Sequence, residues 1–233
     1  MPPHKQQWKE VRLGEVVEFN PKESLQKNIP YKKVSMDNLE PFNKKIYSYG
    51  LESFKGGSKF RNGDTLLARI TPCLENGKTA FVDFLQNNEI AFGSTEFIVL
   101  REKKDISNKH FLYYLARSER FRKTAIKSMT WSSGRERVQI DVLQDFILSL
   151  PPLPIQNQIA EILSSFDDKI DLLTWQNKTL ESLVLTLFRH KFIENLQNSL
   201  FTSKNTNKDK WEIGKLGDYV RNRIRRNSKY CKK

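Results

Sequence analysis

Apolar side chains in the C-terminal third of the chain recur at Ile159, Leu163, Phe166, Ile170, Leu173, Leu180, Val184 and Leu187. With Asn177 in the series, the intervals alternate four and three without a slip. That spacing predicts the seam of a coiled coil, because a 3.5-residue repeat keeps one narrow stripe facing a partner helix. Pro151, Pro152 and Pro154 stop whatever precedes, and from Ile155 no proline or glycine occurs until Gly214. A helix of roughly 40 residues spans ~60 Å, too long for one domain of this size to cover. Ile162, Leu172, Leu183 and Phe188 widen the apolar face. Asn177 is the one polar seam position, of the kind that fixes register at some cost in stability.

Upstream the period changes. Residues 8–20 read as a short apolar lead-in that stops at Asn20-Pro21, and Tyr31–Ser35 as a strand. Residues 36–63, rich in Asn, Gly, Pro, Lys and Ser, predict loops with short strands. Arg61-Asn62-Gly63-Asp64 is a turn signal before a strand at 65–70, and Glu75-Asn76-Gly77-Lys78 a second turn before a strand at 79–84. Glu96–Arg101 reads as a further strand. Asn108–Lys127 suits one amphipathic helix, with a polar loop at 128–135 and a short turn and closing strand over 138–150. The expected class is α+β: a strand-rich domain over 1–150, a long helix over 151–200, and a basic tail over 201–233.

That tail begins with an echo of the N-terminus. Trp8, Leu13, Gly14, Glu15 and Val17 are matched at the same offsets by Trp211, Leu216, Gly217, Asp218 and Val220. The tail therefore reads as the start of a second copy of the domain.

Charge sharpens the picture. The 233 residues carry a net +13. Residues 1–150 hold 25 Lys and Arg against 18 acids, 151–200 hold 4 against 6, and 201–233 hold 11 against 3. Segment 103–137 alone holds 10 against 3, which accounts for the first domain's excess. A clustered basic surface is the electrostatic footprint of a nucleic-acid binder. The long helix is not a basic arm. Two cysteines, Cys73 and Cys231, make no framework, and with no apolar leader or spanning run a cytoplasmic location is expected.

Asn28-Ile29-Pro30-Tyr31 resembles the motif that positions a target amino group in nucleic-acid methyltransferases. Only 27 residues precede it, and none forms a glycine-rich nucleotide loop. Asp64 with Glu75 and Lys78 resembles a metal nuclease, but Asn76-Gly77 between the acid and the lysine reads as a turn. His4, His110 and His190 are scattered. The residues describe a binding protein, with no cofactor and no metal expected.

Three stretches carry a resemblance: Arg61–Pro72 with Glu75-Asn76-Gly77-Lys78, Phe111–Leu115 with Ser118–Arg122, and Leu150-Pro151-Pro152-Leu153-Pro154 with Gln158-Ile159-Ala160. Together they resemble the specificity subunit of type I restriction-modification systems, over roughly residues 8–195. The resemblance implies a non-catalytic DNA-recognition subunit that directs methyltransferase (modification) subunits and, through them, a restriction subunit to a bipartite target. The usual subunit has two recognition domains and two antiparallel helices. This chain resembles half of one, which implies a homodimer pairing its helices antiparallel and reading an interrupted palindrome.

On that reading the expected double-stranded DNA contacts are Lys59, Arg61, Arg69 and Thr71; Asn76 and Lys78; Arg117, Arg120, Arg122 and Lys123; and Trp131, Ser132, Ser133, Gly134, Arg135 and Arg137. Arg, Asn, Ser and Thr suit base edges, and Lys suits phosphates. Arg69 has Asp64 or Glu75 as an alternative partner, and Trp131 has packing as an alternative role. Two other classes stay open: a nuclease or methyltransferase with unrecognised catalytic residues, and a basic coiled-coil scaffold.

Overall fold

The computed structural model describes residues 8–132 and 134–194. The chain divides into two compact units, Met1–Thr174 and Trp175–Lys233, each described by itself. Trp211–Val220 and the rest of the basic tail lie outside the described residues.

In the first unit, β1 (Lys9–Arg12), α1 (Leu13–Val16) and β2 (Val17–Phe19) replace the single lead-in. They are followed by β3 (Pro30–Val34), a 3-10 turn at Met36–Asn38, β4 (Gly50–Ser53), β5 (Ser58–Arg61) and β6 (Thr65–Ala68). Next come β7 (Thr79–Phe81), β8 (Ile90–Gly93) and β9 (Phe97–Glu102). One antiparallel sheet runs β2-β9-β6-β7; the other runs β4-β3-β8-β5, with β3 and β8 parallel. The first sheet is covered on both faces, which is why β6 reads as a continuous apolar run. Side chains alternate across a strand. Leu66, Phe97 and Val99 therefore enter a core shared with Val34, Phe60 and Ala91 of the second sheet. Leu67, Ile98 and Leu100 face the opposite way, into a core with Leu112, Phe121 and Leu143.

The expected helix over Asn108–Lys127 is two helices, α2 (Lys109–Arg117) and α3 (Glu119–Lys127). Ser118 sits between them at φ −61°, ψ 145°, and its hydroxyl accepts from the Phe121 amide. A serine hydroxyl competes well for an orphan helix-start amide, so the chain restarts there. The expected loop at 128–135 is likewise corrected: β10 (Thr130–Ser132) and β11 (Arg135–Arg137) form a hairpin, with Gly134 at φ 79°. Beyond it α4 (Ile140–Gln144) and β12 (Ile147–Leu150) follow the expected turn and strand, and β12 pairs with β1.

The helix α5 runs Leu153–Phe188, continued by a π-turn over Arg189–Glu194. It is rooted by Gln156, which is fully buried. The Gln156 amide donates to the carbonyls of Ile106 and Pro151 and accepts from the Asn108 amide. Of the seam, Leu163, Phe166, Ile170 and Leu173 in the first unit are exposed, as are Leu180, Val184 and Leu187 in the second. Asn177 is also exposed, and Ile159 is half-buried. Among the described residues nothing covers this stripe beyond Ile159. The π-turn brings Phe188 and Phe192 into a stack at 4.9 Å.

Candidate nucleic-acid interface

The end of β6 and the hairpin β10–β11 build one surface. The Val138 amide donates to the Arg69 carbonyl at 2.8 Å, and the Thr71 amide to the Glu136 carbonyl at 3.1 Å. The Glu136 amide returns a bond to the Thr71 hydroxyl. Ile70 bridges to Arg137. The hairpin is thus stitched to residues 69–71, across more than sixty positions of sequence. Glu96 organises the side chains beneath it. It receives Arg137 Nε and an Arg137 terminal nitrogen at 2.9–3.1 Å, and Arg69 Nε lies 3.8 Å away. Glu96, rather than Asp64 or Glu75, is therefore the acid beside Arg69. Above them stand Trp131, 73% exposed, and Arg135, which has no ion partner among the described residues. Ser133 and the side chain of Ser132 lie outside the described residues.

The remaining sequence candidates sit elsewhere, and several have their head groups engaged. Arg122 donates to the carbonyls of Leu74 and Glu75 and stacks 5.0 Å from the Phe42 ring. Arg120 donates to the Ile147 carbonyl, Arg117 to the Tyr113 hydroxyl, and Lys123 pairs with Glu119. Lys78 donates to the Met36 carbonyl, beside the Asn76 turn. Lys59 bonds the Glu23 carbonyl, and Arg61 lies 3.6 Å from the Glu23 carboxylate. Asp64, the acid of the nuclease-like pattern, is 1% exposed and held by Arg101 in two hydrogen bonds of 2.7 Å. Among the described residues no group of three or more His, Cys, Asp or Glu gathers to hold a metal, and no helix is long and apolar enough to cross a membrane.

A second polar cluster went unread in the sequence. Tyr114 donates to Asp167 at 2.6 Å and lies 3.1 Å from the Ser164 hydroxyl. Lys44 reaches Tyr114 at 2.9 Å and Ser164 at 3.2 Å, with its ammonium over the rings of Phe81, Tyr113 and Tyr114. Lys45 pairs with Asp171 at 2.6 Å, and the Tyr47 hydroxyl donates to the same carboxylate. Burial, with Asp167 beside it, pushes the Tyr114 hydroxyl well above the usual phenol range. The hydrogen bond to Asp171 raises the Lys45 ammonium. The available signal was the small and acidic set Ala160, Ser164, Asp167 and Asp171, which runs beside the seam at helical spacing.

His110 packs on Phe81 at 4.5 Å, with Nδ1 buried and unpaired. Burial, helped by Lys44 and Lys109 and opposed by Asp168, lowers its pKa from 6.5 to about 4. As pH falls below 6.5 the unfolded chain takes this proton first, so stability drops between pH 6.5 and 4 and not further below. Melting temperatures across that window should show a shallower acid slope in His110→Phe. An unchanged slope refutes the assignment.

Comparison with known proteins places these features. The family described as "Type I restriction modification DNA specificity domain" matches residues 5–182. The chain is 30% identical over 207 residues to the EcoAI specificity subunit of Escherichia coli, covering 85% of this chain and 33% of that one. It is 28% identical over 193 residues to the HindI specificity subunit of Haemophilus influenzae, covering 80% and 41%. The chain thus spans roughly a third to two fifths of these curated relatives. Its fold is similar to the HsdS subunit from Thermoanaerobacter tengcongensis, at TM-score 0.60 and 21% identity, covering 82% of this chain and 49% of that chain. A chain of a solved type I restriction-modification complex gives TM-score 0.55 at 20% identity, covering 92% and 53%. The family match spans residues 5–182, well over half of the 233, and the strand-rich domain leading into a long helix agrees with it in fold: this chain belongs to the type I restriction-modification DNA specificity family.

Proposed function

We propose that the chain is a non-catalytic recognition subunit that reads one half of a bipartite site in double-stranded DNA. Residues 1–150 serve as the recognition domain, 151–200 as the spacer helix, and 201–233 as the stub of a second domain. The observation that carries the reading is the β10–β11 hairpin, held to residues 69–71 by backbone bonds at Glu136 and Val138 while Trp131 and Arg135 stay exposed. A planar ring and an exposed guanidinium on such a mount suit base stacking and bidentate readout. Arg69, Thr71 and Arg137 complete that surface, and Asn76 contributes from the neighbouring turn. Arg61, Lys78, Arg117, Arg120, Arg122 and Lys123 lie on the rest of the basic face, where phosphate contact positions the domain without reading sequence.

The exposed seam on α5 pairs with a second copy, antiparallel, so that each chain contributes one half-site. Methyltransferase subunits dock on this assembly and supply their own S-adenosylmethionine chemistry. The restriction subunit joins through them, in the cytoplasm. None of that chemistry resides in this chain.

The test is selection from a randomised duplex pool at about 0.15 M salt, where weak phosphate-only binding is screened, with the mass of the bound species recorded. Two inverted half-sites at fixed separation, drawn by a species of twice the chain mass, are expected. Binding that falls uniformly with salt and enriches nothing overturns the reading. Arg135→Ala should lower affinity for the selected site by ~1–3 kcal/mol and relax one base position, while the circular dichroism spectrum stays unchanged.

A further inference from the structure

The first-unit part of α5 carries two stripes, set about one residue apart. The seam stripe, Leu163, Phe166, Ile170 and Leu173, is exposed. The neighbouring stripe, Gln156, Ala160, Ser164, Asp167 and Asp171, faces the recognition domain, with Gln156 and Ala160 buried and the other three half-buried. Successive residues on a helix are turned by ~100°, so docking the second stripe decides where the first one points. The dock is unusual in being polar. A purely apolar contact is non-directional and tolerates sliding, whereas hydrogen bonds weaken steeply with misalignment.

The groups on the domain side are themselves held. The Phe81 amide donates to the Lys44 carbonyl at 2.8 Å, the Lys45 amide to the Asn43 side chain, and Ile46 is buried in the core between the sheets. Tyr114 is placed by α2, whose first turn is capped by Asn108, and Asn108 also bonds Gln156 and Asn157. Lys44 is 12% and Asp167 21% exposed. Water does little to loosen that pair.

We infer that Lys44, Tyr114, Ser164, Asp167, Lys45 and Asp171 form a clasp that fixes the direction in which α5 leaves the recognition domain, and thereby the half-site separation accepted. These are positioning residues. They act on spacing and not on the bases read. The inference rests on the proposed reading of paired half-sites. One added base pair moves a half-site ~3.4 Å along the axis and turns it by about 35°, a displacement that only a rigid mount rejects.

The experiment uses the full chain and duplexes carrying the selected half-sites separated by the best spacer, or by one base pair more or fewer. Wild type should prefer the best spacer by about tenfold or more. Asp167→Ala/Asp171→Ala should keep the half-site consensus while that preference falls toward unity, and Tyr114→Phe, which keeps the ring, should give an intermediate loss. Leu143→Ala, destabilised in the core away from the clasp, should keep the wild-type preference although its melting temperature drops. Clasp variants with the wild-type spacer preference overturn the inference and leave the recognition reading intact. A wild-type chain that selects no paired half-sites overturns both. Should the double alanine variant fail to fold, Tyr114→Phe decides alone.

Discussion

Replacing Arg101 with methionine should destabilise the recognition domain by about 3–5 kcal/mol, the range for breaking a buried ion pair from one side. Arg101 projects from β9 with its side chain 10% exposed and makes paired bonds of 2.7 Å to Asp64, while its remaining arm meets Glu23 at 2.6 Å. Asp64 also accepts the Arg61 amide at 2.8 Å, closing the turn that opens β6. Burial raises the Asp64 carboxyl above its ordinary value, and the bonds from Arg101 and the Arg61 amide pull against that rise. Without the guanidinium the rise is opposed by Arg61 alone and is larger. A group whose folded pKa is raised favours the fold below its unfolded pKa and loses that advantage as pH climbs. The deficit of Arg101→Met against wild type should therefore shrink as pH is lowered into the carboxylate range, near ~4. Adding Asp64→Asn should recover part of the loss, since an amide oxygen still accepts from Arg61 and carries no charge. Urea midpoints at two pH values test this. A deficit under ~1 kcal/mol, as for an exposed pair, would show the cluster to be solvated.

Asp64 shows where the sequence was ambiguous. The turn Arg61–Asp64 and the strand after it were legible, because Asn-Gly-Asp before an apolar run has a local cause. The job of the carboxylate was not legible: its partner lies on β9, thirty-seven positions on. The same holds for the hairpin at 130–137. Its residues are polar and read as a loop, yet pairing between β10 and β11 and backbone bonds to residues 69–71 make it a ribbon. No local pattern announces a partner that distant. The break at Ser118 was readable in principle, since Ser118-Glu119 is a cap signal, but the apolar period continues across it and masks the restart.

The basic cluster teaches a related point about the site. Charge counting found the segment 103–137, yet it cannot tell a free head group from a spent one. Arg117, Arg120 and Arg122 lie on hydrogen-bond acceptors of the domain itself, whereas Arg135 is exposed and meets none among the described residues. For α5 the pattern gave the exposed stripe and missed the docked one. A seam of large apolar residues is conspicuous, while Gln156, Ser164 and Asp167 look like ordinary solvent-facing residues until their partners are in view: Ile106, Asn108 and Pro151 for the first, Tyr114 on α2 and Lys44 after the 3-10 turn for the others.

The seam variant Phe166→Glu/Leu173→Glu should reduce the species in solution to the mass of one chain and weaken binding to the paired site by about 100-fold or more, since joining two sites raises avidity ~10²–10⁴-fold. Phe166 is 61% and Leu173 46% exposed in the single chain, so neither change opens a core and the circular dichroism spectrum should barely alter. Against a partner helix, each would bury ~1.5–3 kcal/mol of apolar side chain, and a glutamate there adds the penalty of an unpaired charge. An antiparallel pair repeats each substitution by symmetry, so the double variant places four carboxylates in one interface. Affinity for an isolated half-site should stay near that of wild type, because the hairpin and the 69–71 strand end are untouched. Asn177→Leu should act in the opposite sense, tightening the pair while relaxing its register. Light scattering and binding to single and paired half-sites distinguish the outcomes. A double-glutamate chain that keeps twice the mass would move the contact off the seam; one that loses half-site binding as well would mean that the helix serves the domain rather than a partner.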